Sequence, residues 1–150
     1  MKKQKKKHRF WSEEYKDKPL NTIYIGGGTP SSLSAEQLDE LLTAIKELFS
    51  FEHLLEYTVE AGRPDSITPE KLEVLYRHNV SRISVNPQTM NQETLNCIGR
   101  CHTVEQTVDA FQMARQAGFT NINMDIILGL PGEDTEMVKT VLLDEVCRQQ

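Results

Sequence analysis

Apolar residues recur along this chain with two alternating periods, two residues and then about 3.6. Ile23 and Ile25 alternate with polar neighbours and predict a short strand. Leu38, Leu41, Leu42, Ile45, Leu48 and Phe49 then repeat at helical spacing and predict an amphipathic helix. Its start is marked by SAEQ from Ser34, a capping box in which the Ser and Gln37 side chains each accept from the other's backbone N–H. The pattern then repeats. EYTVEAG reads as a half-polar strand with Tyr57, Val59 and Ala61 on one face, and Thr68 caps a helix whose first turn holds Pro69, where a missing N–H costs nothing. Leu72, Leu75 and Tyr76 supply that helix's buried face.

A third unit opens with VSRISVNPQ, followed by a short helical segment near 92–98. A second capping box, TVEQ from Thr103, starts a helix with Val104, Val108, Phe111 and Ala114 on one side, and Gly118 closes it as a left-handed cap. NINMDIILG is the fourth strand, and a last helix from about Asp134 carries Met137, Val138, Val141 and Leu142. Strands alternating with helices across short loops define an α/β chain with a parallel sheet.

Polarity on the strands separates the two parallel designs. A doubly wound sheet, covered on both faces, fills its strands with Val, Ile and Leu. Here Glu60, Ser84, Asn86, Asn123 and Asp125 intrude. In a β/α barrel such residues line the lumen near the C-terminal mouth. The loops after the strands, GGGTP, EAGRP, VNPQT and GLPGE, gather at that same edge. The expectation is therefore a partial (β/α) barrel of about four strand–helix units, since a complete one needs about 250 residues. Residues 1–18 read as a basic tail or the end of a helix, and 19–150 as the barrel part, incomplete at both ends.

Composition adds a few exclusions. The basic tail holds six of the 17 Lys and Arg residues, leaving 11 against 22 acidic residues in the rest of the chain. An acidic body argues against nucleic acid as the main partner. No apolar run is long enough for a bilayer, and a cytoplasmic location is expected. Three cysteines, Cys97, Cys101 and Cys147, do not suggest a disulfide framework. Four scattered histidines without HxH or HExxH spacing offer no zinc site, and no metal ligands are assigned within this chain.

The glycine run poses the chemical question. GGGTPS has no GxGxxG register, no GK[ST] follows it, and Pro30 to Leu33 separate it from the next helix, so it is neither a dinucleotide fingerprint nor a P-loop. Around it stand Glu60, Gln88, Arg100 and Asp125. A guanidinium grips a carboxylate through two hydrogen bonds, while carboxylates and an amide suit an ammonium group and ribose hydroxyls. A ligand with an amino acid end and a ribose end uses the whole set, and S-adenosylmethionine is one.

GGGTP, the Glu of VEAG, NPQTMNQETLNCIGR and NMDIILGLPGE together resemble the radical S-adenosylmethionine enzymes. Within them they are most similar to the oxygen-independent coproporphyrinogen III oxidase (coproporphyrinogen dehydrogenase) group with its haem chaperone relatives, in a second, Gram-positive-type branch. The resemblance runs from about Pro19 to Glu133. It implies that Gly27, Gly28 and Thr29 lie against the methionine end of the cofactor. It further implies that Glu60 takes an amine or hydroxyl, Gln88 and Asp125 the ribose, and Arg100 a carboxylate. It also implies a [4Fe–4S] cluster held by CxxxCxxC, a 5′-deoxyadenosyl radical, a porphyrinogen substrate whose propionates become vinyl groups, and an electron donor such as flavodoxin or ferredoxin. No CxxxCxxC occurs in the chain, because Val104 stands where the third thiolate would follow Cys97 and Cys101. The expectation is a truncated chain, inactive alone, from an enzyme or from a chaperone-like relative that delivers haem; a third reading is an inactive truncated gene product.

Overall fold

Four parallel strands form one sheet in the order β1-β2-β3-β4, the order in which the chain makes them. The computed structural model describes residues 19–143, with side chains as far as residue 139. The basic tail, Cys147 and the side chains of Val141 and Leu142 lie outside the described residues. The strands are β1 (Thr22–Ile25), β2 (Glu56–Glu60), β3 (Arg82–Ser84) and β4 (Asn121–Asn123). The helices are α1 (Ala35–Leu48), α2 (Pro69–Arg77), α3 (Gln92–Cys97), α4 (Val104–Gln116) and α5 (Thr135–Leu143). Each strand pairs with the next in a continuous parallel register, Ile23 beside Tyr57, Val59 beside Ile83 and Ile83 beside Ile122. Sequential parallel pairing with a helical crossover after every strand is the organisation of a β/α barrel wall.

Local chemistry accounts for the helix starts. Ser34 and Gln37 form the expected capping box, as do Thr103 and Gln106, and the Thr68 side chain accepts from the Lys71 N–H at the head of α2. The core lies between sheet and helices, where Leu38, Leu42, Leu72 and Phe111 meet Val59, Ile83 and Val85, all nearly inaccessible. Each such side chain contributes about 1.5–3 kcal/mol by leaving water.

Two elements differ from the sequence pattern. VSRISVNPQ and NINMDIILG predict long strands, but β3 and β4 have three residues each. Pro87 has no N–H to give a ladder, and Gln88 sits in the left-handed region with φ of 67°. Regular pairing therefore stops, resuming once where Gln88 bridges Ile126. Tyr76, expected on the buried face of α2, is 54% exposed, and Val74 is buried instead. The Tyr76 ring packs edge-on against Phe119, 5.7 Å between centroids, at the surface.

Candidate functional site

The carboxyl ends of β1, β2 and β3 open into a cleft of about 280 Å³ lined by Gly28, Thr29, Pro30, Glu60, Gly62, Arg63, Asn86, Gln88 and Arg100. Small-molecule sites begin at about 300 Å³, so the volume suits part of a ligand of that class.

Glu60 ends β2 and organises the glycine loop. Its Oε2 accepts from the Gly27 N–H at 3.1 Å and from the Tyr24 hydroxyl at 3.3 Å. Oε1 has no hydrogen-bond partner among the described residues and remains an acceptor at the cleft wall. Partial desolvation of the phenol, and then the facing carboxylate, push the Tyr24 pKa above its ordinary 10.0. The first glycine of the run makes this contact possible. A Cβ on Gly26 would stand 2.2 Å from the Tyr24 ring and 2.7 Å from Glu60 Oε2, so no other residue fits without displacing one of them.

Two short turns hold the loops in place. Pro30–Ser32 and Pro64–Ser66 each form one 3₁₀ turn, and their hydroxyls meet, Ser31 Oγ to Ser66 Oγ, at 2.6 Å. Lys71 of α2 donates to the Ser31 carbonyl at 2.7 Å and the Ser66 carbonyl at 2.9 Å. A single ammonium thus ties together the loops after β1 and β2.

Arg100 reaches the cleft from the α3–α4 connection. Gly99 takes a left-handed conformation, φ of 70°, and the Arg100 N–H returns to the Leu95 carbonyl at 2.9 Å, closing α3 and aiming the next side chain. The Arg100 guanidinium forms no ion pair with a described residue. Arg63 is engaged: Asp65 accepts from it at 3.0 and 3.3 Å and raises its pKa. Behind the loop after β3, buried His102 donates from Nε2 to the Pro87 carbonyl at 3.1 Å.

Of the residues expected from the sequence, Gly28, Thr29, Glu60, Gln88 and Arg100 line one cleft. Gly27 stands at its edge with its N–H given to Glu60. Asp125 is exposed and outside the lining. Its backbone pairs with the loop after β3, through Asn86 Oδ1 at 3.2 Å and the Gln88 N–H at 3.1 Å, and its carboxylate accepts from Asn123 at 2.7 Å. Sequence reasoning missed Gly26, Gly62, Arg63, Lys71 and Asn86 as parts of this site. The place of Gly26, Gly62 and Arg63 in the loops GGGTP and EAGRP and the polarity of Asn86 on a strand pointed toward it; nothing along the chain pointed to Lys71.

The radical SAM superfamily model matches residues 11–144, in agreement with the parallel β/α wall, and the chain belongs to that superfamily. Among its relatives, the oxygen-independent coproporphyrinogen-III oxidase-like protein HemZ of Bacillus subtilis is 52% identical over 124 residues, covering 82% of this chain and 25% of HemZ. The heme chaperone HemW of Lactococcus lactis is 48% identical over 128 residues, covering 85% of this chain and 34% of HemW. The solved structure of the Escherichia coli coproporphyrinogen III oxidase HemN, a radical SAM enzyme, superposes with a TM-score of 0.74 at 30% identity, over 83% of this chain and 28% of HemN. The chain thus spans about a quarter to a third of these relatives.

Members of the superfamily use S-adenosylmethionine and a [4Fe–4S] cluster. The residues here fit the first and not the second. Glu60, Gln88, Asn86 and Arg100 offer an acceptor, amides and a cation around one cleft. A cluster requires cysteine thiolates converging on iron. Cys97 and Cys101 are exposed and free, and among the described residues no three His, Cys, Asp or Glu side chains could hold a metal ion. No helix of the described residues is long and apolar enough to cross a membrane.

Proposed function

We propose that the cleft binds S-adenosylmethionine, forming the wall of a radical SAM site in a protein that handles porphyrins. The observation that supports this is that the Arg100 guanidinium, which pairs with no described residue, and the Glu60 carboxylate line the same small polar cleft. Arg100 grips the ligand carboxylate, Glu60 takes its ammonium group, and Gln88 with neighbouring Asp125 addresses the ribose hydroxyls. Gly27, Gly28 and Thr29 lie against the methionine portion. S-adenosylmethionine held here would supply radical chemistry at its 5′ carbon. What these residues contribute is binding, orientation and exclusion of water.

For the whole protein we favour oxidative decarboxylation of coproporphyrinogen propionates to vinyl groups, on the 52% identity to HemZ. A second reading, haem binding and delivery, draws on the 48% and 44% identities to the HemW proteins of Lactococcus lactis and Bacillus subtilis. Anaerobic turnover of coproporphyrinogen by the full-length protein, beside a haem titration, separates them: haem binding without decarboxylation rejects the oxidase. The cleft itself is tested by calorimetric titration with S-adenosylmethionine. Arg100→Ala is expected to weaken binding by about 1.5–3 kcal/mol, the range for a charge-assisted hydrogen bond. Unchanged affinity would remove the proposed grip.

A further inference from the structure

We propose that Arg82 is a positioning residue for the nucleoside, holding Asn123 so that one oxygen of Asp125 stays free for the ribose hydroxyls. The proposal rests on the S-adenosylmethionine reading of the cleft. Ile83 of β3 and Val85 just after it belong to the core under the helices, so alternation turns Arg82 to the opposite face of the sheet. Glu56 on β2 and Asn123 on β4 share that face, because Tyr57 and Ile122 beside them are core residues. There a single guanidinium spans two neighbouring strands. Its Nη1 donates to Glu56 Oε2 at 3.4 Å, and its Nη2 donates to Asn123 Oδ1 at 3.1 Å. The other Glu56 oxygen accepts from the Thr58 hydroxyl at 2.9 Å. Asn123 Nδ2 carries the chain onward, donating to Asp125 Oδ1 at 2.7 Å.

Chemistry sets the direction of these bonds. A guanidinium only donates and an ionised carboxylate only accepts, so an amide between them turns its oxygen to Arg82 and its nitrogen to Asp125. Reversed, it would set donor against donor and acceptor against acceptor. The Asp125 backbone is fixed as well, its N–H given to Asn86 and its carbonyl accepting from Gln88. Oδ2 is then left without a donor among the described residues. Asp125 is also felt at the mouth of the cleft: after desolvation and Glu60, its carboxylate is the next influence raising the Tyr24 pKa. Ion pairing alone gives Arg82 little to do. The Arg82 and Glu56 side chains are 33% and 40% exposed, and such pairs add little to stability. Orienting Asn123 is the part of the network that reaches a group facing the ligand.

Arg82→Met keeps the length of the side chain and removes the donor, and Asn123→Leu removes the link to Asp125. These two, the double variant and Arg82→Lys are made in the full 150-residue chain. Each is titrated with 5′-methylthioadenosine and with its 2′,3′-dideoxy analogue, following backbone amide shifts by NMR. Arg82→Met is expected to bind 5′-methylthioadenosine about tenfold more weakly and the dideoxy analogue as the unaltered chain does. The double variant is expected to lose no more than Asn123→Leu alone, because Arg82 acts through that amide. Arg82→Lys still donates but lacks the fork that spans both strands, so its affinity is expected to fall between. Unaltered affinity in Arg82→Met overturns the proposal. An equal loss for both nucleosides overturns it too, because Arg82 would then be shaping the sheet, and so do losses that add in the double variant. Should Arg82→Met fail to fold, Arg82→Lys reads the same difference between the two nucleosides. If the unaltered chain binds neither nucleoside, the S-adenosylmethionine reading falls and this proposal with it, whereas a preference for the hydroxyls that is indifferent to Arg82 leaves that reading standing.

Discussion

Gly26 shows how much a missing side chain can do. Its bare Cα lets the Tyr24 ring lie against the loop and hand its hydroxyl to Glu60, which leaves that carboxylate with one fixed and one free oxygen. Gly26→Ala is expected to push the Tyr24 ring, already 65% exposed, out into water. Because the displaced group is an exposed surface ring with room in solvent, the loss of stability should stay below about 1 kcal/mol, at the low end for overpacking. The phenol, freed from desolvation and from Glu60, should titrate closer to its ordinary 10.0. A pH titration of the Tyr24 ring resonances checks this, and an unmoved titration would mean the ring and carboxylate are not coupled. Gln88 carries the opposite device, a side chain kept where glycine would be easier. Its left-handed backbone is held by pairing with Asp125 and Ile127, so a costly conformation persists because the neighbouring segment demands it.

At the scale of elements, the contact between α1 and α2 is electrostatic at its rim. Asp39 of α1 accepts from His78 Nε2 at 2.6 Å and from Arg77 Nη2 at 2.8 Å, both at the end of α2. The His78 hydrogen bond first, and then that of Arg77, hold the Asp39 carboxyl below its ordinary 3.8. A carboxyl with a lower pKa folded than unfolded adds stability above the unfolded value and loses it as acid titrates it through the folded one. The ionised Asp39 therefore stabilises the pair of helices at neutral pH, and that contribution fades below about pH 4. Asp39→Asn should be less stable than the unaltered chain at neutral pH and converge with it in acid, as read from urea unfolding midpoints between neutral pH and about pH 3. A gap independent of pH would show that the contact is not charge-dependent.

For the molecule as a whole, the free edges matter most. β1 and β4 bound the sheet, and among the described residues no strand pairs with their outer sides. Tyr24, Ile127 and Leu128 are exposed large residues on or just beyond these edge strands. Unpaired strand edges flanked by apolar side chains recruit further strands. The isolated chain is therefore expected to self-associate with rising concentration, and Tyr24→Lys should reduce that association. Sedimentation velocity over a hundredfold concentration range checks it. A strictly monomeric chain would mean that the edges are protected.

Much of this architecture was legible along the chain because it depends on near neighbours. Capping boxes, the Thr68–Pro69 helix start and the 3.6-residue stripes are local interactions, and the alternation of strand and helix follows from them. Polar residues on the strands then pointed to a barrel wall, and five of the expected residues line one cleft. What tertiary structure alone decided is contact between distant segments. Pairing with residues 125–127 holds Gln88 in a conformation that no local preference favours. Packing across 36 residues matched Tyr24 to Glu60, with the bare Gly26 beside both, and a backbone N–H 39 residues away gave Asn86 its orientation. Register and close approach depend on what the rest of the chain brings near, so no reading of successive residues contains them.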